Sequence, residues 1–397
     1  MALNPPSGRA ATPARQQSIR EANLALVFGH IVDAPTPVSR AGLSAATGIT
    51  RATASALVDA LINAGLVNEV GPSPRAPTGR HGIGIIPAES GPMGLGMEVD
   101  VDYLSVCVVD LAGAIRAKAE LRLDVRGQTP TSVLSELAGL ANRVMAGMPG
   151  IEIAGTAVAI PGLVTRGEGT VLRAPSLGWQ GTAVGTLLAP LLPRAVLPLS
   201  VGNNADFAAL AELHVDADRE LSDFLFVSGG PGVGGGIVVD RNLFPGARGW
   251  AGEIGHVTVE PGGERCHCGA RGCLETVAGT EALERGDLER AAAGLGMAVS
   301  AAVNLLDVPV VVLGGVYAGL PDSDKLSALV QRAVADHVVS AGWEPVRVRV
   351  SQVGGIAAAL GAAVSVVHRV HEDPAGWRTS HRAGTVTDIG TAAAARG

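Results

Sequence analysis

The chain has 397 residues, of which 47% are hydrophobic and 17% charged, a balance that indicates a globular protein with a substantial core and room for two or three domains. A formal net charge of −7 excludes indiscriminate binding of polyanions by the molecule as a whole. No apolar run reaches membrane-spanning length. Residues 1–18 lack the apolar core of a signal peptide, so the expected location is cytoplasmic. The charge is uneven: through Ser90 seven arginines face five acidic residues. That mildly basic end on an acidic remainder fits a nucleic-acid-binding segment.

Residues 1–16 are rich in Pro, Ala and Arg and are expected to be a disordered arm. From Ser18 to Val32 apolar residues recur on one helical face, and Pro35 and Pro37 end that helix. Ser39 is placed to cap a second helix, Arg40 to Thr47, which Gly48 breaks. Thr50 is placed to cap a third, Arg51 to Asn63, with Leu57, Leu61 and Ile62 inward. Gly65 stops it and a strand begins at Leu66. Helix, short helix, tight turn, helix and β-wing make a winged helix-turn-helix over 17–86, although a generic three-helix cap has the same periodicity. In the DNA-binding case the third helix enters the major groove. Thr50, Arg51, Thr53 and Ser55 then reach bases and phosphates, and Arg75 and Arg80 form a flexible wing suited to a minor groove.

Pro87 to Pro92 is a hinge. Beyond it, Met93 to Val109 alternates with an apolar excess, and Gly113 turns the chain into Ala114 to Leu123. Helix Pro130–Met145 and strand Ala154–Ile160 follow, the strand ending in PGLV. Cys107 sits in an apolar strand pattern and reads as a small buried hydrophobe. Leu172 to Trp179 reads LRAPSLGW, and a strand Leu197–Val201 leads into Gly202-Asn203-Asn204-Ala205-Asp206 and a helix Phe207–Leu213. Later elements are an Ala-rich helix Asp287–Leu305, a strand Pro309–Leu313, a helix 324–338, a strand 345–351 and a last helix 354–370. The polar tail 374–397 is expected to be disordered.

The densest stretch is Ser228 to Glu275. It holds a glycine-rich turn, Gly229 to Gly236, then AGEIGH with Glu253 three residues before His256, then Cys266, Cys268 and Cys273. One imidazole and three thiols suit a closed tetrahedral Zn²⁺ site. No position is left for a metal-bound water, so a metal here is structural. On spacing alone, three ordinary cysteines and a core histidine also fit, since Cys-x-Cys is tighter than the usual pair.

The whole stretch, through Cys273-Leu274-Glu275, resembles the signature of the ROK family, named for its repressors, uncharacterised reading frames and sugar kinases. The resemblance implies that His256, Cys266, Cys268 and Cys273 bind a structural zinc. It also implies that Glu253, His256 and Glu275 hold sugar hydroxyls, with His256 serving both metal and sugar. The segment Leu43 to Val70, with Gly79-Arg80 beyond it, resembles the amino-terminal domain of ROK repressors. LRAPSLGW resembles a sugar-pocket segment that usually reads N-L-x-W, with Ser176 at the Asn position. The implied fold is α/β: the winged helix followed by a two-lobed actin-like sugar-kinase fold with a zinc loop, 256–273. Lobe 1 is expected over 93–204 with the helix 354–370, and lobe 2 over 205–353.

The same resemblance poses a choice between kinase and repressor. ROK kinases end their first strand in D-x-G-G-T-K; here Glu98-Val99-Asp100-Val101-Asp102 stands there, without glycines and with three carboxylates to repel a triphosphate. The kinase base is the Asp of N-D-A-N. Here that position is Asn204, an amide that takes no proton. Asp206 lies two residues on, where a helix should turn it away. The second phosphate loop, usually G-T-G, is Gly230-Pro231-Gly232, and Pro231 lacks a hydroxyl and an N–H. Asn203, Asn204, Glu253, His256 and Glu275 remain able to bind a sugar. The expectation is a sugar-responsive repressor, a homodimer or homotetramer on operator DNA, with no phosphotransferase activity. The alternatives are an active sugar kinase with a regulatory amino-terminal domain, and a protein-binding pair of lobes.

Overall fold

The computed structural model describes residues 16–72, 83–165, 167, 169–193, 198–216 and 219–376. The wing residues Arg75 and Arg80, most of the expected arm and most of the expected tail lie outside them. The chain divides into two compact units, one of residues up to Ala88 together with Val370–Trp377, the other built on Glu89–Arg369.

In the first unit α1 (Gln16–Val32), α2 (Arg40–Thr47) and α3 (Arg51–Asn63) pack beside the antiparallel pair β1 (Val67–Pro72) and β2 (Ile83–Pro87). Ser39 and Thr50 accept hydrogen bonds from Gly42 N and Thr53 N, so both caps form. Gly48 ends α2 with a positive φ of 72°. The buried face of α3 is Ala54, Leu57, Val58 and Leu61. Ile62, expected inward, is half-exposed, because the 3.6-residue period places it off the stripe set by the other four. Arg40 ties the three parts together, pairing with Asp59 of α3 at 2.6 Å and with Glu69 of β1.

The second unit holds two lobes of matching topology. In lobe 1, β3 (Met93–Val99), β4 (Tyr103–Val109) and β5 (Ile115–Arg122) form an antiparallel meander; α4 (Pro130–Ala146) then crosses to β6 (Ile153–Ile160), parallel to β3. A small sheet of β7 (Leu163–Val164), β8 (Thr170–Ala174) and β9 (Trp179–Ala183), then α5 (Val184–Leu188), precede β10 (Leu199–Asn203). The run Met93 to Val109 is therefore two strands, joined by a turn at Asp100–Asp102. Lobe 2 begins with α6 (Asn204–Val215) and repeats the plan with β11 (Phe224–Gly229), β12 (Val233–Val239) and β13 (Asn242–Leu243). After α7 (Leu274–Ala278), α8 (Thr280–Glu284) and α9 (Leu288–Leu306) come β14 (Val310–Gly315), α10 (Val316–Gly319), α11 (Ser323–His337) and β15 (Arg347–Val350). The sheets run β10-β6-β3-β4-β5 and β13-β12-β11-β14-β15. In both, the first strand is central, flanked by its hairpin partner and by the later parallel strand.

The last helix, α12 (Ala357–Glu372), lies against β3 and α6. That approach needs glycine on both sides: a Cβ at Gly96 would stand 1.9 Å from the Ala359 carbonyl oxygen, and one at Gly361 1.7 Å from that of Phe207. Among the described residues no helix is long and apolar enough to cross a membrane.

Candidate functional site

The site grows from β12 and what presses on it. Gly229 closes β11, only Gly230–Gly232 form a turn, and Gly234–Gly236 lie within β12. Most of the expected glycine turn is thus strand. These glycines serve close packing: a Cβ at Gly236 would stand 2.7 Å from the Ala205 carbonyl oxygen of α6. In the AGEIGH box, a Cβ at Gly255 would stand 2.0 Å from the Val233 carbonyl oxygen. Seated this way, Ile254–His256 form a single 3-10 turn that presents Glu253 and His256.

The loop after His256 is a narrow hairpin held by bridges Thr258–Cys273 and Arg265–Arg271. It brings the donor atoms of His256, Cys266, Cys268 and Cys273 within 4.8 Å of one another. Nδ1 of His256 faces Cys266 Sγ at 3.7 Å, and Cys268 Sγ faces Cys273 Sγ at the same distance. Among the described residues this cluster can hold a metal ion, and its donors are one imidazole and three thiols. The other ring nitrogen, Nε2, lies 3.7 Å from Glu253 Oε2. Glu275 sits beside both groups: Oε1 accepts from Cys266 Sγ at 3.4 Å, and Oε2 fills the space where a Cβ of Gly232 would be, at 2.9 Å. Burial raises the pKa of Glu253, with the proton-attracting charge of Glu275 added and His256 opposing.

Asn203 and Asn204 lie at the junction of the lobes. The helix expected from Phe207 starts at Asn204, because Asn203 caps it: Oδ1 accepts from Ala205 N at 2.7 Å, and Nδ2 donates to the Gly162 carbonyl at 2.9 Å. One N–H and one lone pair of Asn203 are left for a ligand. Asp206 is in the same first turn of α6 and is not turned to solvent; it is only 9% exposed. Its burial, then the charge of Glu253, push its carboxyl up to about 8. Ser176 lies half-buried in the 3-10 turn Pro175–Leu177.

The acidic turn departs from simple repulsion. Glu98 is buried, accepts from Tyr103 Oη at 3.1 Å and Ser105 Oγ at 2.9 Å, and is pushed up to about 8 by burial and then by Asp100. Its carboxyl therefore leans toward the protonated form near neutral pH, and burial pushes the Asp100 carboxyl up as well, so the expected repulsion is weakened. Asp102 is paired with Arg126 at 2.8 Å. Asp100 Oδ1 accepts from the Val101 N–H at 2.6 Å, so this turn spends a backbone donor on its own side chain.

In the first unit Thr50, Arg51 and Thr53 are exposed at the start of α3 and Ser55 is half-buried. Thr50 Oγ1 is engaged with Thr53, through its N–H at 3.3 Å and its hydroxyl at 2.9 Å. Two groups escaped the sequence reading. Arg290 grips Glu260 of the thiol–imidazole loop with two bonds of 2.7 Å, and Arg173, inside LRAPSLGW, reaches that loop from lobe 1. No local pattern announces pairs so far apart in the chain.

Twin lobes of this topology with a thiol–imidazole loop beside the cleft define a protein built on the actin-like sugar-kinase fold. Residues 94–290 match the ROK family, so the chain carries a ROK family domain. The xylose repressor of Caldicellulosiruptor bescii is 30% identical over 267 residues, which cover 67% of this chain and 65% of that protein. The DNA-binding transcriptional dual regulator NagC of Escherichia coli is 29% identical over 270 residues, covering 67% of this chain and 64% of NagC. The matched part thus spans less than two thirds of the length of these curated relatives. Among solved structures, a ROK family transcriptional regulator, a homolog of the E. coli MLC protein, superposes with a TM-score of 0.73 at 22% identity, covering 92% of this chain and 100% of that one. The ROK hexokinase of Thermus thermophilus superposes with a TM-score of 0.59 at 27% identity, covering 70% and 99%. The fold is shared by regulators and kinases, so the choice between them falls to the site.

Proposed function

We propose that this protein is a sugar-responsive transcriptional regulator, a repressor, whose kinase-like cleft binds a sugar without phosphorylating it. The observation that carries this reading is the β3–β4 turn. A phosphate cradle needs free backbone N–H groups, and here Asp100 occupies the Val101 N–H. The amide at Asn204 supplies no general base, a loss of about 10²–10⁴ in rate. The names of the relatives, a xylose repressor and a DNA-binding transcriptional dual regulator, support a regulator over a kinase.

In this reading Asn203, Asn204, Glu253, His256, Glu275 and Ser176 hold sugar hydroxyls. His256, Cys266, Cys268 and Cys273 hold a structural Zn²⁺, which the donor set and its spacing fit. The metal fixes the loop, and His256 keeps Nε2 for the ligand side. The first unit is a winged helix-turn-helix whose α3 enters the major groove, led by Arg51. Sugar and operator are then linked ligands of one homo-oligomer, each altering affinity for the other.

A coupled ADP-release assay over a panel of pentoses, hexoses and N-acetylhexosamines tests the reading. Binding of one sugar by thermal shift with no ADP release is the expected result. Robust turnover would establish the kinase alternative, in which Asp206 replaces the missing base.

A further inference from the structure

Arg173 and Trp250 each make hydrogen bonds between the lobes. Arg173 belongs to lobe 1: it is on β8, and its neighbours Val171 and Ala174 are fully buried in that lobe's core. The metal loop belongs to lobe 2, with Val259 and Leu274 in that core and Glu260 gripped by Arg290 of α9. The Arg173 guanidinium nonetheless donates to the His267 carbonyl at 3.0 Å and to the Cys268 carbonyl at 3.5 Å. In the other direction, Trp250 Nε1 of lobe 2 donates to the Val164 carbonyl of β7 at 3.1 Å.

Arg173 is also anchored behind. Gly162 packs so tightly on it that a Cβ there would stand 2.3 Å from the Arg173 carbonyl oxygen, and the Gly162 carbonyl accepts from Asn203 Nδ2. A surface arginine is ordinarily solvated or paired with a carboxylate. This one, among the described residues, has no carboxylate partner and turns its fork onto two carbonyls of a metal loop. A planar guanidinium can serve both at once, which a single ammonium does less well.

We infer that Arg173 is a positioning residue: it latches the metal loop to the segment carrying Ser176, so that order in the loop and closure of the cleft are coupled. The second half of this statement rests on the sugar-binding reading of the cleft; the latch itself does not.

The test uses the full chain and R173A and R173K variants. Hydrogen exchange of the 264–273 peptide is measured without sugar, and zinc release to a colorimetric chelator is timed. R173A is expected to exchange and to release zinc about tenfold faster, as befits loss of a charge-assisted bond at a partly exposed site. R173K, keeping the charge but on a single ammonium, is expected to recover part of the protection, which general surface damage would not allow. Unchanged exchange and zinc release in R173A overturn the latch. Where a sugar stabilises the wild type, R173A is expected to show a smaller thermal shift; an equal shift overturns the coupling to the cleft. Faster exchange in R173A beside a wild type that answers no sugar supports the latch and removes the effector reading.

Discussion

Nε2 of His256 lies 3.7 Å from Oε2 of Glu253, while Nδ1 of the same ring faces the Cys266 thiol at 3.7 Å. In the proposed reading this one imidazole divides the site into a metal side and a ligand side. The division predicts that the two sides fail separately. Elemental analysis should find about one zinc per chain in the wild type. Cys266→Ser should lose most of that metal, while Glu253→Gln should keep it and lose the thermal response to sugar. Metal loss in Glu253→Gln would show that the carboxylate serves the metal side.

Two buried carboxyls set a pH dependence. Burial, reinforced by Asp100 for Glu98 and by Glu253 for Asp206, raises each to about 8. In the unfolded chain they titrate near 4. The folded state therefore prefers both protonated. Their contribution is intact below about pH 4, shrinks as the pH rises, and is lost by the time the pH passes about 8. Wild-type Tm should fall between about pH 5 and 8 and level off above that. Glu98→Gln and Asp206→Asn should each flatten that fall, by on the order of a few kcal/mol at the alkaline end. A wild-type Tm that does not fall over this range would contradict both assignments.

At the first unit, Arg51→Ala should weaken operator binding by about 1–3 kcal/mol if the side chain pairs with a guanine, read by gel shift or fluorescence anisotropy. Thr50→Ala should act otherwise, because its hydroxyl caps α3. Loss of the cap costs about 1 kcal/mol of stability, measured by denaturant titration. Equal loss of affinity in both variants at unchanged stability would place Thr50 on the DNA as well.

Gly255→Ala tests the seating of the AGEIGH box. The added Cβ would stand 2.0 Å from the Val233 carbonyl oxygen, a backbone atom that cannot swing aside. A loss of about 1–3 kcal/mol in stability is expected, with the sugar response falling alongside. A variant with unchanged Tm would mean that this segment can lift off β12 freely.

Much of the site was legible because its donors are local. Glu253 to Glu275 fall within one short stretch, and glycines mark the close approach between them. Helix caps at Ser39 and Thr50 were equally local, since an N-cap reaches only two or three residues ahead, whereas the Asn203 cap, which starts α6 before the expected Phe207, went unread. The reading failed where periodicity meets packing. Gly234–Gly236 look like a turn but form strand, because α6 and the Gly255 segment crowd β12. Ile62 looked inward, but the helical stripe had already been set by Ala54, Leu57, Val58 and Leu61.

The sequence by itself determined the chemistry at hand: one imidazole and three thiols that suit a soft metal, an amide at Asn204 that takes no proton, and carboxylates at Glu98, Asp100 and Asp102. Residue type fixes softness, basicity and charge wherever the chain goes. Only the tertiary structure decided which nitrogen of His256 faces which partner, that Asp100 consumes the turn's own N–H, that burial pushes the Glu98 carboxyl up, and that Arg173 reaches across to the thiol–imidazole loop. Those outcomes depend on burial and on distances between segments up to 95 residues apart, and neither quantity exists until the lobes have closed on each other.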